Sequence, residues 1–393
     1  MLRRSAAYIL LFLFALASYA RGEDVIGEPD RLAEDFVTVS LVVCEPYEVL
    51  YSSLGHAALH LQCPTYDLDY IFTYESESVK QKFWTFLKGD LKMGMYAFPT
   101  PLFLEMYRIA GRGVKEYKMN LTPIQDQQLW RVMDNMQTAG MTLPYDYFRR
   151  GCAKSVVMVV NKAMGGNGIH YAPWSEKYTD HTMRELCCDF VTNAPWNEFV
   201  SYFLVGNKAD KDYPCEQKLI VPTDLVEVWQ QAILDNGKPV LESEPNILLE
   251  QSELREATWC TPVLVCIILL LLALGSLATE WTNNKSLHIA GTVVDYLVLT
   301  IATALGIVMT YLICFSSLPC TEWNWLIIPF NVLPAIGWYW RKYWALPFVG
   351  ILLVWMIIMI AWPHRLVDLA HVLLVLSWTV ILAKQGVSIL KRK

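Results

Sequence analysis

Two short segments carry the side chains best able to do chemistry. In Leu54-Gly55-His56-Ala57-Ala58-Leu59-His60, an imidazole stands at the start of an apolar run. In Tyr145-Asp146-Tyr147-Phe148-Arg149-Arg150-Gly151-Cys152-Ala153-Lys154, the cysteine falls in the first turn of a predicted helix. A thiol at a helix N-terminus feels the positive end of the helix dipole, and Arg149, Arg150 and Lys154 add charge of the same sign. Both effects favour thiolate, the nucleophilic form. A histidine folded close by could take the thiol proton and later return it to a leaving group. On residue types alone, a structural cysteine remains an open reading of Cys152. The pair His56-x-x-x-His60 also invites a metal reading, because on a helix it would place two imidazoles on one face. The glutamate that zinc hydrolases carry after the first histidine is replaced by Ala57. The surrounding pattern is that of a strand, where residues four apart share a face but lie roughly 13 Å apart. No C-x-x-C occurs, and His170 and His181 read as surface residues, so no metal is predicted.

These side chains must be positioned by a mixture of strands and helices. Residues 36–44 read as a buried strand, 56–62 and 68–74 as two more separated by a turn around Pro64, and 92–98 and 114–121 as further candidates. Residues 79–88 look helical, with Phe83, Phe86 and Leu87 on one face. Thr122-Pro123-Ile124-Gln125 is a capping box with proline at the first helical position, opening a helix to about Ala139. A further helix runs from Tyr147 or Gly151 to Ala163 and stops at Gly165-Gly166. The elements follow no regular βαβ rhythm, which predicts an α+β domain.

Composition separates this domain from the rest of the chain. The sequence is 54% hydrophobic and 18% charged, too apolar for an ordinary soluble protein, and the excess lies after residue 260. The net charge of −6, without a long basic patch, argues against a nucleic-acid partner. At the N-terminus, Arg3 and Arg4, an apolar stretch over 6–17 and Ser18-Tyr19-Ala20 form an export signal predicted to be cleaved, giving a segmentation of 1–20. Residues 21–236 are the exported domain, and the polar, acidic segment 237–260 reads as a linker. Residues 261–393 form a membrane block of about five helices, with spans at 261–279, 290–315, 326–340, 344–362 and 366–383. With the soluble domain outside, the inner segments contain Lys285, Arg341, Lys342, Lys384, Lys391, Arg392 and Lys393, and the outer turns only Arg365. That asymmetry places the soluble domain of a multi-pass protein on the exported side of its membrane. Asp295, Asp368 and His371 fall within or near spans, where charge faces protein or water rather than lipid. Of ten cysteines, Cys266 and Cys314 lie inside spans, and the pairing of the others is not readable.

Gly55-His56 before a strand, Asp69-Tyr70-Ile71-Phe72-Thr73-Tyr74, Phe86-Leu87-Lys88-Gly89, Arg112, Asn120-Leu121-Thr122 and the Tyr147 to Cys152 segment together resemble the exported N-terminal domain of the Lnb family of lipoprotein N-acyltransferases. The likeness covers roughly residues 35–165, and the family's membrane helices after this domain also fit. Histidine on a strand before cysteine opening a helix also resembles the permuted papain-like thiol enzymes. The sequence departs from the family at Gly151, where many relatives have asparagine, and at Phe72-Thr73-Tyr74-Glu75, where many have Tyr-Asn-Tyr-Gly.

The resemblance implies a permuted papain-like domain with Cys152 as nucleophile, His56 as base and Asp69 as the third, orienting member. It implies acyl transfer from a phospholipid through a Cys152 thioester to the α-amine of diacylglyceryl-cysteine on apolipoproteins, with no cofactor. Two other functions fit the residues: a membrane-tethered thiol peptidase or amidase of the cell envelope, and a non-enzymatic scaffold that binds lipoproteins.

Overall fold

Alternating apolar residues from Thr38 onward build an antiparallel sheet whose centre holds the predicted histidine strand. In the computed structural model, residues 37–391 are described except 48, 141, 172–175, 192–193, 252–258, 319–321 and 334–344. The export signal expected at 1–20 lies outside the described residues. The periplasmic part runs β1 (Thr38–Cys44), β2 (His56–Cys63), β3 (Leu68–Ser76), α1 (Phe83–Lys88), β4 (Lys92–Pro99), α2 (Thr100–Ile109), β5 (Val114–Lys118), α3 (Pro123–Thr138), β6 (Thr142–Pro144) and α4 (Cys152–Ala163). There follow β7 (Ile169–His170), α5 (Met183–Phe190), α6 (Pro195–Leu204), α7 (Pro222–Trp229), β8 (Ile233–Leu234) and β9 (Asn246–Leu249). Seven strands form one open sheet in the order β6-β4-β3-β2-β1-β5-β9, and β7 pairs with β8. The domain is thus mixed α+β, as its pattern predicts.

The pleat sorts the side chains into two faces. Leu41, Leu59, Leu61 and Phe72 point to one side, where Leu129 and Met133 of α3 and Ala153, Val156 and Val160 of α4 cover them. The spacing of those α4 residues gives a single apolar stripe, so burial of that stripe fixes where the helix begins and where Cys152 stands. Val42, Ala58 and Ile71 point to the other side, onto Phe103 and Tyr107 of α2. The capping box at α3 forms as expected: Gln125 N donates to Thr122 Oγ1 at 3.3 Å, and Thr122 N donates to Gln125 Oε1 at 2.9 Å.

Three differences from the sequence expectation have local causes. Helix α2 was not anticipated, although Thr100-Pro101 is a helix-opening pair and Phe103 and Tyr107 are its buried face. Strand β5 ends at Lys118 rather than 121, because Asn120 N turns to the Val240 carbonyl at 2.9 Å. Part of the segment expected as a linker, 237–260, folds back as β9 and pairs antiparallel with β5, covering an otherwise open sheet edge.

The C-terminal part is all helical: α8 (Pro262–Ala278), α9 (Lys285–Cys314), α10 (Ala345–Ala361) and α11 (Leu369–Lys391). Among the described residues, three stretches, Pro262–Trp281, Lys285–Cys314 and Leu369–Ser388, are long and apolar enough to cross a membrane, and α10 is a shorter apolar helix. The proposed span 326–340 begins with a 3-10 turn at Trp325–Ile327, and its remainder from 334 lies outside the described residues. Asp295 is buried and paired with Lys384 at 2.7 Å, and Ser276 Oγ donates to the same carboxylate at 2.5 Å. Lys384, placed by sequence among the charges of the inner surface, is therefore a buried partner. Asp368 binds Arg365 at 3.0 Å rather than the His371 side chain, whose ring lies flat on Phe199 with centroids 4.1 Å apart.

The two parts are joined by specific contacts. The Asn324 amide donates to the carbonyls of Tyr202, Phe203 and Val205, each at 3.0 Å, and so caps the end of α6. Arg365 bonds Glu198 at 2.8 Å, and its backbone N–H reaches Glu185 at 2.9 Å. At α1, Ser317 N and Oγ donate to the Lys88 carbonyl at 2.9 and 2.8 Å. Gly89 has φ +84°, and a Cβ there would sit 2.3 Å from the backbone of Ser317 and Leu318. Gly89→Ala is therefore expected to destabilise this junction by at least about 1 kcal/mol, seen as a lower midpoint of thermal unfolding in detergent. Gly140→Ala, also at positive φ but with nothing near its Cβ, supplies the backbone contribution alone.

Candidate active site

Strand register, rather than sequence proximity, assembles the polar cluster. Gly55 precedes β2 with φ +84°, and a Cβ would lie 2.7 Å from the Cys44 carbonyl, so the turn that delivers His56 to the strand end requires glycine. The β1–β2 register sets His56 across from Cys44, and the β2–β3 register sets Ala58 across from Thr73. Continuing that register by one two-residue step carries His56 to Glu75. The His56 Nε2 lies 2.5 Å from Thr73 Oγ1 and 3.3 Å from Glu75 Oε1, and Thr73 Oγ1 donates to that carboxylate oxygen at 3.1 Å.

Cys152 reaches the same place from the opposite side of the sheet. Asp146 Oδ1 accepts from the backbone N–H groups of Phe148 and Arg149 at 3.0 and 2.8 Å, folding the chain into a turn. Gly151 caps α4, and a Cβ on it would approach the Tyr147 carbonyl to 3.0 Å. Cys152 then opens the helix, partly buried, against the His56 ring. Together His56, Glu75 and Cys152 line a cavity of about 450 Å³, whose walls include Tyr145, Tyr147 and Arg112.

Burial disfavours the charged form of all three groups, yet their mutual interactions outweigh it. For His56, burial lowers the pKa, while the Glu75 carboxylate and Cys152 raise it to about 10. For Cys152, burial pushes the thiol up, but the charge and hydrogen bond of His56 and the backbone N–H groups of Ala57 and Ala153 bring it below the ordinary thiol value. Glu75 is likewise held low, against burial, by His56, Thr73 and Arg112. The three shifts all favour the charged forms, thiolate, imidazolium and carboxylate, as neighbours. Of the cations expected to favour the thiolate, Arg150 turns to the Pro144 carbonyl at 3.0 Å, and burial lowers Lys154 to about 8. The histidine is the decisive charge.

Asp69 lies elsewhere. It accepts from Thr100 Oγ1 at 2.6 Å and meets His60 Nε2 at 2.6 Å, while His60 Nδ1 meets Glu116 at 2.5 Å. The sheet face thus carries two histidine–carboxylate clusters, one at each of the positions four apart, and the carboxylate beside His56 is Glu75. Glu75 was quoted from the sequence as a departure from the family pattern. Its signal was there in the strand alternation from Thr73 to Glu75, once the pairing of β2 with β3 is known. Among the described residues no group of three or more His, Cys, Asp or Glu side chains could hold a metal ion.

Comparison with known proteins gives two matches of one kind. Residues 30–183 match the family described as the Lnb N-terminal periplasmic domain, and residues 254–393 match the Lnb transmembrane domain. No curated protein and no solved structure matches the chain.

The charge pair sets a test by pH. Because the Cys152 pKa is lowered and that of His56 is raised, the thiolate–imidazolium form spans the interval between the two values. Alkylation of Cys152 by iodoacetamide is expected to keep its rate to lower pH than that of an ordinary thiol. In His56→Ala only burial remains as the dominant influence, the thiol pKa rises, and the rate at pH 7 falls by about tenfold or more, one factor of ten per pKa unit.

Proposed function

The chain belongs to the Lnb family, as an inner-membrane, multi-pass protein with a periplasmic domain, and from that membership we propose that it N-acylates lipoproteins through a thioester on Cys152. The observation that carries the reading is the thiol held against His56, which is itself held by Glu75, in a cavity beside the membrane block. The proposed orienting carboxylate is Glu75, since Asp69 is engaged by His60 and Thr100. A strand histidine followed by a helix-opening cysteine supports a permuted papain-like arrangement of the domain.

In the first step the Cys152 thiolate attacks an ester carbonyl of a membrane phospholipid. The S–C bond forms and the ester C–O bond breaks. His56, already protonated, gives its proton to the departing glycerol oxygen, and lysophospholipid leaves. The backbone N–H of Cys152, at the start of α4, is a suitable donor to the developing oxyanion. In the second step the α-amine of diacylglyceryl-cysteine attacks the thioester. His56 takes a proton from that nitrogen, the C–S bond breaks, and the amide and the thiolate–imidazolium pair are restored. Glu75 keeps the ring oriented and favours its cationic form in both directions.

The surroundings favour lipid substrates over a water-soluble peptide. Tyr145 and Tyr147, two walls of the cavity, pack into the apolar cluster of Phe86, Leu91, Leu312 and Leu318, so the cavity abuts the outer end of α9. Met106 lines the cavity, and its helix exposes Leu102 and Ile109. An acyl chain could thus pass from the outer leaflet to the thiol along apolar surface, with water kept from the thioester.

Incubation with phospholipid carrying a labelled acyl chain is expected to leave the label on Cys152 as a hydroxylamine-sensitive thioester, absent from Cys152→Ser. Lipoprotein N-termini from cells lacking this protein should have lost the N-linked acyl chain by mass spectrometry. Peptide cleavage without a trapped thioester would instead identify a hydrolase, and full function of Cys152→Ser at normal abundance would identify a scaffold. Within the site, Glu75→Gln should slow thioester formation by roughly 10²-fold, with Asp69→Asn much milder. The reverse ranking would return the orienting role to Asp69.

A further inference from the structure

One cation in the cavity has no task in the chemistry above. Arg112 lies between α2 and β5 and is more than nine-tenths buried, at 8% exposure. Its Nε donates to the Glu45 carbonyl at 2.9 Å. The guanidinium lies over the Tyr107 ring at 4.7 Å and near that of Tyr47 at 5.8 Å. Its Nη2 is buried and, among the described residues, has no hydrogen-bond partner. An arginine pinned by one nitrogen and two rings, with donors unspent at the edge of a reactive cavity, is pre-organised for an oxyanion.

We propose that Arg112 receives the phosphate of the phospholipid acyl donor, and so selects phospholipid over uncharged glycerolipid for attack by Cys152. The assignment rests on the acyl-transfer reading for the identity of the lipid. Of the two substrates in that reaction, only the donor carries an obligatory anion close to the reacting bond: its phosphodiester sits on the glycerol carbon next to an ester-bearing one. The acceptor has a neutral thioether at the corresponding carbon. One cation and one thiol on the walls of one cavity therefore offer a partner each to the phosphate and the ester of the donor. The buried Nη2 left without an acceptor is unfavourable, and an incoming phosphate oxygen would accept from it. Support of the Glu75 carboxylate, whose pKa Arg112 also lowers, is the competing role. That role acts equally whichever lipid is present.

The test needs no turnover. The full-length protein in detergent is alkylated at Cys152 by iodoacetamide in the presence of an ether-linked phosphatidylethanolamine, which has no ester to cleave, or of the matching dialkylglycerol. In the wild type the ether phospholipid is expected to protect Cys152 at a concentration about tenfold or more below that of the dialkylglycerol. Arg112→Gln should reduce that ratio to near one, and Arg112→Lys should retain part of it. Equal protection by both lipids in the wild type would overturn the proposal without any variant, so a variant that fails to fold does not shelter it. A ratio unchanged in folded Arg112→Gln would overturn it too, as would equal protection by inorganic phosphate, which would reassign the site to a free anion. Retained phosphate-dependent protection with no thioester from any ester lipid would leave the anion site standing and sink the acyl-transfer reading instead.

Discussion

The site depends on a charge pair kept in a place where neither charge would survive alone. A buried thiol is normally a weak nucleophile, and a buried imidazole normally resists protonation. Here each supplies the counter-charge the other needs, and Glu75 tips the balance toward the charged state. The backbone geometry follows from that requirement. Gly55 lets the chain turn into β2 at the residue before His56, Asp146 folds the approach to α4, and Gly151 gives the cysteine its place at the helix start. None of these residues takes a bond-making or proton-transfer part in the proposed reaction. They determine whether two atoms from opposite faces of a sheet arrive at the same point.

A second constraint lies at the junction with the membrane block. The contacts are polar and directional where they could have been merely apolar: Asn324 caps α6, Arg365 ties α11 to Glu198, and the backbone of Ser317 closes on Gly89. Directional contacts fix orientation as well as adhesion. They set the cavity against the outer end of α9. The family motif ending in Gly89 thereby acquires a physical meaning, because only glycine permits that approach.

Much of this was legible in the sequence, because the governing patterns are local. Alternation marked β1, β2 and β3, the Thr122–Gln125 box marked α3, and the apolar runs with their flanking lysines and arginines gave the topology. His56 and Cys152 were named from their residue types, their local settings and a resemblance. Which carboxylate stands beside His56 was not legible. Asp69 and Glu75 lie on one face of one strand, as His56 and His60 do on its neighbour, so two histidines face two carboxylates. Only the register, which sets Asp69 opposite Gln62 beside His60, decides the partners. Register depends on long-range pairing that periodicity does not encode. The same limit hid β9, whose role as an edge strand exists only because β5 offers an edge.

Lys384 has a consequence for how the protein is made. An ammonium inside a hydrocarbon slab is tolerated only when neutralised, and its neutralising carboxylate belongs to a helix synthesised long before it. Until α11 has been made, Asp295 has Ser276 as a hydrogen-bond donor but no counter-ion. Helix α11 therefore works as a keystone: a chain cut before it would hold Asp295 among apolar helices without its cation.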